Sequence, residues 1–291
     1  MSERTLISPA QLGRPRGKAV YWTVLALVVI GFTVVFLGPL YWMVVNGLKS
    51  TAEFTQVPPT VVPDSLHPDN YSAAWEVMDL AKLLFNTLYY AFGALAFQLV
   101  LDVAAAYSLS KLRPVFGKAV LGMMLATLMI PATVLVVPQY LTVLDMPLIQ
   151  RNLLNTPWVI WLPSVTNAFN IFLLKRFFDS IPGEILDAAS IDGASSLRTL
   201  RSVVLPMSRP ILGVVSIFAV VGVWKDFLWP MLTLPDPALQ TLNVGIYSLS
   251  RGVPENHLVA ALAMASAPTL IIFLIFQRNI MSGLTAGSLK G

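Results

Sequence analysis

The residues best placed to do chemistry stand in one charged stretch, Ser180-Ile181-Pro182-Gly183-Glu184-Ile185-Leu186-Asp187-Ala188-Ala189-Ser190-Ile191-Asp192-Gly193-Ala194-Ser195. Pro182 suits a first helical turn. Glu184 and Asp187 lie early, where carboxylates favour the positive end of a helix. Gly193 is a natural helix terminator. Ser195 or Ser196 can then cap a second helix running to about Val204, with Pro206 beyond it. The small side chains of Ala188, Ala189 and Ala194 let a partner's backbone come close, and acids flank them. That is what a helix docking into a groove of another subunit needs. An amphipathic linker lying on lipid headgroups is the other reading.

Bond-making chemistry finds no comparable set. The nearest string to a phosphate-binding G-x-x-x-x-G-K-[ST] loop is Gly13-Arg14-Pro15-Arg16-Gly17-Lys18-Ala19, one residue short and without the hydroxyl. It reads as a basic juxtamembrane anchor, so the chain is expected to be neither an ATPase nor any other enzyme. There is no cysteine, which excludes disulfides and thiolate metal sites, and the two histidines, His67 and His257, lie far apart in sequence. No metal site is expected.

A second group of candidates is polar residues set in apolar tracts: Asn86, Gln98, Asp102, Gln139, Asn167, Asn170, Lys225 and Asp226. Such residues in a membrane face the bundle interior or a solute path. Asn86 and Asp102 lie near tract ends and read as structural. Gln98 and Asn170 sit deeper, as interhelical hydrogen bonds or as path lining. Trp224 and Phe227, with Trp229 close by, offer flat faces that could stack on sugar rings, or could form an interfacial belt. An anionic solute calls for unpaired Arg or Lys. Lys225 alone is available, with Asp226 beside it, which leans towards a neutral cargo.

The elements that must position these groups follow from composition. Of 291 residues, 56% are hydrophobic and 12% charged, and the mean hydropathy is +0.72. A soluble domain carries about a quarter of its residues as charges, so a multi-span membrane protein is the reading. Uncharged tracts of helix-spanning length run over Ala19–Leu48, Leu83–Leu101, Ala119–Leu144, Asn152–Leu174 and Asn256–Gln277. A sixth lies between Arg209 and Asp236, interrupted only by Lys225 and Asp226. The first is too long for a signal peptide and is taken as a retained helix. Pro131 and Pro138, and then Pro157 and Pro163, are expected to kink the third and fourth spans.

Fourteen of the 19 basic residues fall in segments 1–18, 111–118, 175–209 and 278–291. By the positive-inside rule these are cytoplasmic, and so are both termini. The prolines of the outside loop 49–82 predict extended chain there. Three acids, Glu184, Asp187 and Asp192, then lie in one long cytoplasmic loop.

That loop resembles the EAA signature of binding-protein-dependent ABC importer permeases: E-A-A, three residues, Gly, nine residues, Ile, any residue, Leu-Pro. Asp187-Ala188-Ala189 stands for E-A-A, Gly193 follows after three residues, and Val203-Val204-Leu205-Pro206 follows after nine more. Asp187 for Glu and Val203 for Ile are the departures. Asn70-Tyr71, Phe85-Asn86-Thr87-Leu88, Met129-Ile130-Pro131, Asn170-Ile171-Phe172-Leu173-Leu174 and the C-terminal glycines are similar to the carbohydrate branch, specifically its maltose-type second permease.

The resemblance implies an all-α integral membrane protein of the type I ABC importer permease fold, with six transmembrane helices. Its expected parts are a cytoplasmic tail 1–18, a first span 19–48, an outside loop 49–82, a five-helix core 83–278 with the coupling loop at 180–207, and a cytoplasmic tail 279–291. The implied function is the permease subunit of an ATP-driven importer of a sugar, a neutral mono- or oligosaccharide. A polyol or glycerophosphate permease and a secondary transporter are the alternatives. The implied partners are a second permease, a cytoplasmic ATPase dimer that binds ATP and Mg, an extracytoplasmic sugar-binding protein and the bilayer of a prokaryotic cytoplasmic membrane. No cofactor is expected on this chain and no nucleic acid. Glu184, Asp187, Ala188, Ala189, Asp192, Gly193 and Pro206 would meet the ATPase. Gln98, Asn170, Trp224, Lys225, Asp226 and Phe227 would line the substrate path.

Overall fold

The computed structural model describes residues 15–147 and 149–285. Most of the two expected tails lies outside the described residues. Among the described residues the chain is helical, with one isolated bridge between Met146 and Arg151.

Helices run over α1 (Pro15–Gly47), α2 (Thr51–Phe54), α3 (Asp69–Val77), α4 (Leu80–Tyr107), α5 (Gly117–Thr127), α6 (Ala132–Leu144), α7 (Trp158–Trp161) and α8 (Ala168–Asp179). They continue with α9 (Gly183–Ile191), α10 (Ser196–Met207), α11 (Arg209–Lys225), α12 (Leu228–Thr233), α13 (Leu242–Leu249) and α14 (Glu255–Thr285). A wider π turn at Ser108–Leu112 extends α4.

Among the described residues three helices are long and apolar enough to cross a bilayer: α1, α4 with its extension, and α14. The count is five if α5 with α6 and α10 with α11, bent by 101° and 84°, each make one span. The expected fourth span, Asn152–Leu174, is not a continuous helix. It forms only α7 and α8, and the chain between them contains Pro163. Pro131 sits at the α5–α6 break, where a residue without an N–H costs no helical bond. Pro138 stays inside α6.

Two compact units divide the chain: residues 1–74 with 253–263, and 75–252 with 264–291. In the first, the Asn70 amide donates to the carbonyls of Gly47 (3.0 Å) and Lys49 (2.8 Å), tying the start of α3 to the end of α1. Asn256 donates to Lys49 O as well, at 3.2 Å. The loop expected to be extended is irregular only in its middle. Ser50 caps α2 by accepting from Glu53 N, and α3 begins directly after Pro68. Prolines 58, 59, 63 and 68 all stand outside helices.

In the second unit α4 is the central post. Its Ala91, Ala94 and Ala106 have no exposed surface. Small residues on one helix let neighbouring backbones approach in a membrane. One cluster joins Val103, Ala106 and Tyr107 of α4 to Ile171, Leu174 and Phe178 of α8 and to Ile211, Val214 and Val215 of α11. A second joins Tyr90, Ala91 and Ala94 to Val159, Ile160, Val223 and Trp229.

Candidate functional sites

The charged loop is built as two short helices about a glycine. Pro182 precedes α9 as its cap residue, with Glu184 in the first turn. Asp192 closes the helix, and Gly193 adopts φ +74°. That left-handed conformation lets Ala194 N–H reach back to Ala189 O at 2.9 Å. Ser195 then caps α10 by accepting from Arg198 N. α10 runs on past Val204 to include Pro206. The π turn at Leu200–Val204 explains this: the Leu205 N–H bonds Leu200 O, five residues back, so the helix continues into the proline.

The root of the loop is fixed and its tip is bare. Tyr107 at the end of α4 donates its hydroxyl to Ser196 O at 3.0 Å. Ile181, Thr199, Val204 and Ser208 are buried, whereas α9 has no buried residue. Ile191 is 87% exposed and Leu197 62%. Glu184, Asp187, Ala188, Asp192, Gly193 and Pro206 are exposed and Ala189 is half-buried. Among the described residues no ion pair engages Glu184, Asp187 or Asp192.

A cavity of about 760 Å³ opens among α4, α6, the α7–α8 connection, α11 and α12. Of the expected path residues it brings together Gln98, Asn170, Lys225 and Asp226. Gln139 and Asn167 join them. It does not gather Trp224 or Phe227. The Trp224 side chain is buried, and the residue's carbonyl accepts from Asn243 at 2.8 Å. Phe227 meets Tyr247 edge-on, ring centres 5.3 Å apart. The reason is local: α11 ends at Lys225 and Asp226 is extended, so the chain turns between Trp224 and Phe227. Asp226 accepts from Trp229 N–H at 3.4 Å across that turn.

Aromatic faces on the cavity come instead from Phe169, Phe218 and Trp229. Phe169 and Phe218 are paired at 6.1 Å. Trp229 is fixed by its Nε1–H, which donates to Val159 O at 2.7 Å. Sequence reasoning passed over Phe169, which did carry a local signal in standing between Asn167 and Asn170, and over Phe218 because it lies in a largely apolar run. The hydroxyls of Thr133, Ser164 and Thr166 were missed for the same reason. Asn86 lies away from the cavity, donating to the carbonyls of Ala238 and Gln240, each at 3.0 Å. Among the described residues no cluster of three His, Cys, Asp or Glu stands ready for a metal.

Residues 82–287 match the family described as "Binding-protein-dependent transport system inner membrane component". The chain is 34% identical over 257 residues to the sulfoquinovosyl glycerol transport system permease protein SmoH of Agrobacterium fabrum, covering 87% of this chain and 88% of that one. It is 29% identical over 260 residues to the melibiose/raffinose/stachyose import permease protein MelC of Bacillus subtilis, covering 87% and 91%. In fold it is similar to a chain of a bacterial ABC transporter involved in the import of the acidic polysaccharide alginate, with TM-score 0.80 at 23% identity over 91% of this chain and 98% of that one. Permeases of this kind work with an ATPase and a binding protein and are not themselves enzymes. An exposed two-helix loop on a fixed root, a polar cavity inside a helical membrane body and a family match over most of its length together place the chain among the binding-protein-dependent ABC importer permeases of the inner membrane.

Proposed function

We propose that the chain is the permease subunit through which an ATP-driven importer passes a neutral sugar, paired with a second, different permease. Both termini and the 180–207 loop face the cytoplasm, following the distribution of basic residues. The loop docks in a cleft of a separate ATPase, which binds the ATP and Mg. Glu184, Asp187 and Asp192 meet polar or basic groups there, Ala188 and Ala189 allow close approach, Gly193 makes the bend, and Pro206 lies near the base. Closure of the ATPase pair rotates the loop.

The observation that carries this reading is the contrast between tip and root. The exposed α9 buries no residue fully and touches the core only through half-buried Leu186, while Tyr107 and Ser196 join the loop's second helix to α4. α4 also carries Gln98 on the cavity wall. A push on the loop therefore reaches the solute path through one rigid post.

The cavity lining supports a sugar as cargo. Amides and hydroxyls dominate its polar groups, and Phe169, Phe218 and Trp229 supply flat faces. Its charged lining is one base and one acid, Lys225 and Asp226. The relatives' cargoes, sulfoquinovosyl glycerol and melibiose, raffinose and stachyose, support a sugar; the first carries a sulfonate, so the neutral charge of the cargo rests on the lining alone.

The test is reconstitution of the complete importer in proteoliposomes, with uptake of radiolabelled melibiose followed with and without ATP. ATP-dependent uptake that depends on the binding protein is expected. Failure of this chain to co-purify with an ATPase would overturn the coupling assignment. Uptake of glycerol 3-phosphate in place of melibiose would overturn the neutral cargo.

A further inference from the structure

The C-terminal end of α4 carries three polar side chains, Tyr107, Ser110 and Lys111, spaced so that they share one face. Each reaches the chain that leads into or out of the exposed loop. The Tyr107 hydroxyl donates to Ser196 O, at the start of α10, at 3.0 Å. The Lys111 ammonium donates to Ile181 O, on the lead-in to α9, at 3.3 Å. The Ser110 hydroxyl donates to Asp179 Oδ1, at the end of α8, at 2.6 Å. The end of α4 is itself locked. Arg113 donates from Nε to Ser110 O at 3.2 Å and from its backbone N–H to Ser108 O at 2.9 Å.

Two of the three contacts end on backbone carbonyls, which any loop sequence would offer. The third needs a particular side chain. Asp179 is held from both sides, because Lys175, one turn earlier on α8, donates to its Oδ2 at 2.6 Å. With Oδ2 engaged along its own helix, Oδ1 is left for α4. Ser110 is 1% exposed, so a hydroxyl deprived of this carboxylate would have almost no access to water in exchange.

The loop's two legs run into different helices, α8 before it and α11 after it. Were each leg hung on its own helix alone, a displacement of the tip would divide between them. Gripping both legs at one turn of α4 makes them move together. We infer that Tyr107, Ser110 and Lys111 form a clamp that carries displacement of the loop into α4, and that Asp179 is the positioning residue keyed to it. Asp179 does not line the cavity, so it acts on transport only through this contact. A broken clamp lets the loop follow the ATPase while α4 lags, and ATP is hydrolysed without transport. This rests on the loop docking on the ATPase as proposed above.

The test follows melibiose uptake and ATP hydrolysis in the reconstituted importer, with amide hydrogen exchange over residues 177–186 read in the same preparation. Uptake per ATP is a ratio that loss of folded protein does not move. Ser110→Ala removes the donor and Asp179→Ala the acceptor, whereas Asp179→Asn keeps an oxygen for the Ser110 hydroxyl. Uptake per ATP should fall about fivefold in each alanine variant, the worth of a charge-assisted hydrogen bond discounted for a partly exposed carboxylate. Hydrolysis and co-purification with the ATPase should persist. The double variant should be no worse than Asp179→Ala, because the two residues share one contact. Exchange should quicken several-fold in both alanine variants and stay near wild type in Asp179→Asn. An unchanged ratio in the alanine variants, additive losses in the double variant, or unchanged exchange in Asp179→Ala overturns the clamp. If the unmodified importer moves no melibiose or holds no ATPase, the transport reading above fails, and exchange in Asp179→Ala still decides whether the clamp holds the loop.

Discussion

The Lys49 ammonium donates to the Thr60 carbonyl at 2.5 Å and lies 4.9 Å from the centre of the Trp42 ring. Lys49 is 1% exposed, so its ammonium is held by one carbonyl dipole and one aromatic face. The proline-rich loop after α2 hangs on this contact, since Thr60 sits at its middle. Lys49→Met keeps the apolar stem against Trp42 and removes the donor. It is expected to cost about 2 kcal/mol, the range of a hydrogen bond to a charged group, and to expose residues 55–68 to protease. A loop as resistant as wild type would show that the ammonium contributes nothing there.

The same loop should respond to acid. The Thr60 hydroxyl donates to Glu53 Oε1 at 2.5 Å, and the Asp64 N–H donates to the same oxygen at 3.0 Å. The Thr60 bond foremost, helped by Asp64, Lys49 and His67 against the opposing effect of burial, holds the Glu53 carboxyl below its ordinary value of 4.5. A carboxyl depressed by folding stabilises the fold fully above its unfolded value, and that contribution disappears as pH falls through the folded one. Thermal midpoints in detergent should therefore drop as pH goes below about 4.5. Glu53→Gln should show a shallower drop over the same window. Parallel curves for the two proteins would rule Glu53 out as the cause.

In the second unit a glycine pair separates packing from propensity. A Cβ on Gly93 would overlap the Trp161 indole. That ring cannot swing aside freely, because its Nε1–H donates to Tyr90 O at 3.2 Å and Tyr89 packs on it at 5.3 Å. Gly93→Ala should cost about 1–3 kcal/mol by overpacking. Gly122 in α5 has nothing within 4 Å of such a Cβ, so Gly122→Ala should be neutral or stabilise by roughly 0.5 kcal/mol. Equal midpoints for the two variants would refute the packing argument.

Much of this was legible in the residues. Charge-free tracts located α1, α4 and α14, because crossing a bilayer demands apolar length whatever the tertiary context. Gly193 and Ser195 were legible because bend and cap are local backbone problems with few solutions. The fourth tract is broken rather than one continuous helix, since composition does not say where a proline-bearing apolar run opens. Trp224 and Phe227 were expected on the solute path; the chain turns at Asp226, and neither lines the cavity. Asp102 read as a tract-end residue. Its Oδ1 accepts the Asn167 N–H from the lead-in to another helix, and no local pattern signals that meeting.

Gly193 offers the sharpest functional series. Its φ of +74° is closed to most L-residues, and nothing stands within 4 Å of a Cβ there. The obstacle is thus backbone strain, about 1–2 kcal/mol for an ordinary side chain. Asn tolerates this conformation better than Ala, and a β-branched residue worst. Uptake should fall in the order Gly193→Asn, Gly193→Ala, Gly193→Val, while the thermal midpoint moves little, because the bend itself is exposed and no packed contact surrounds Gly193. Co-purification with the ATPase should weaken in the same order. If the Val variant transported as well as wild type with its ATPase bound, the bend at Gly193 would have no part in coupling.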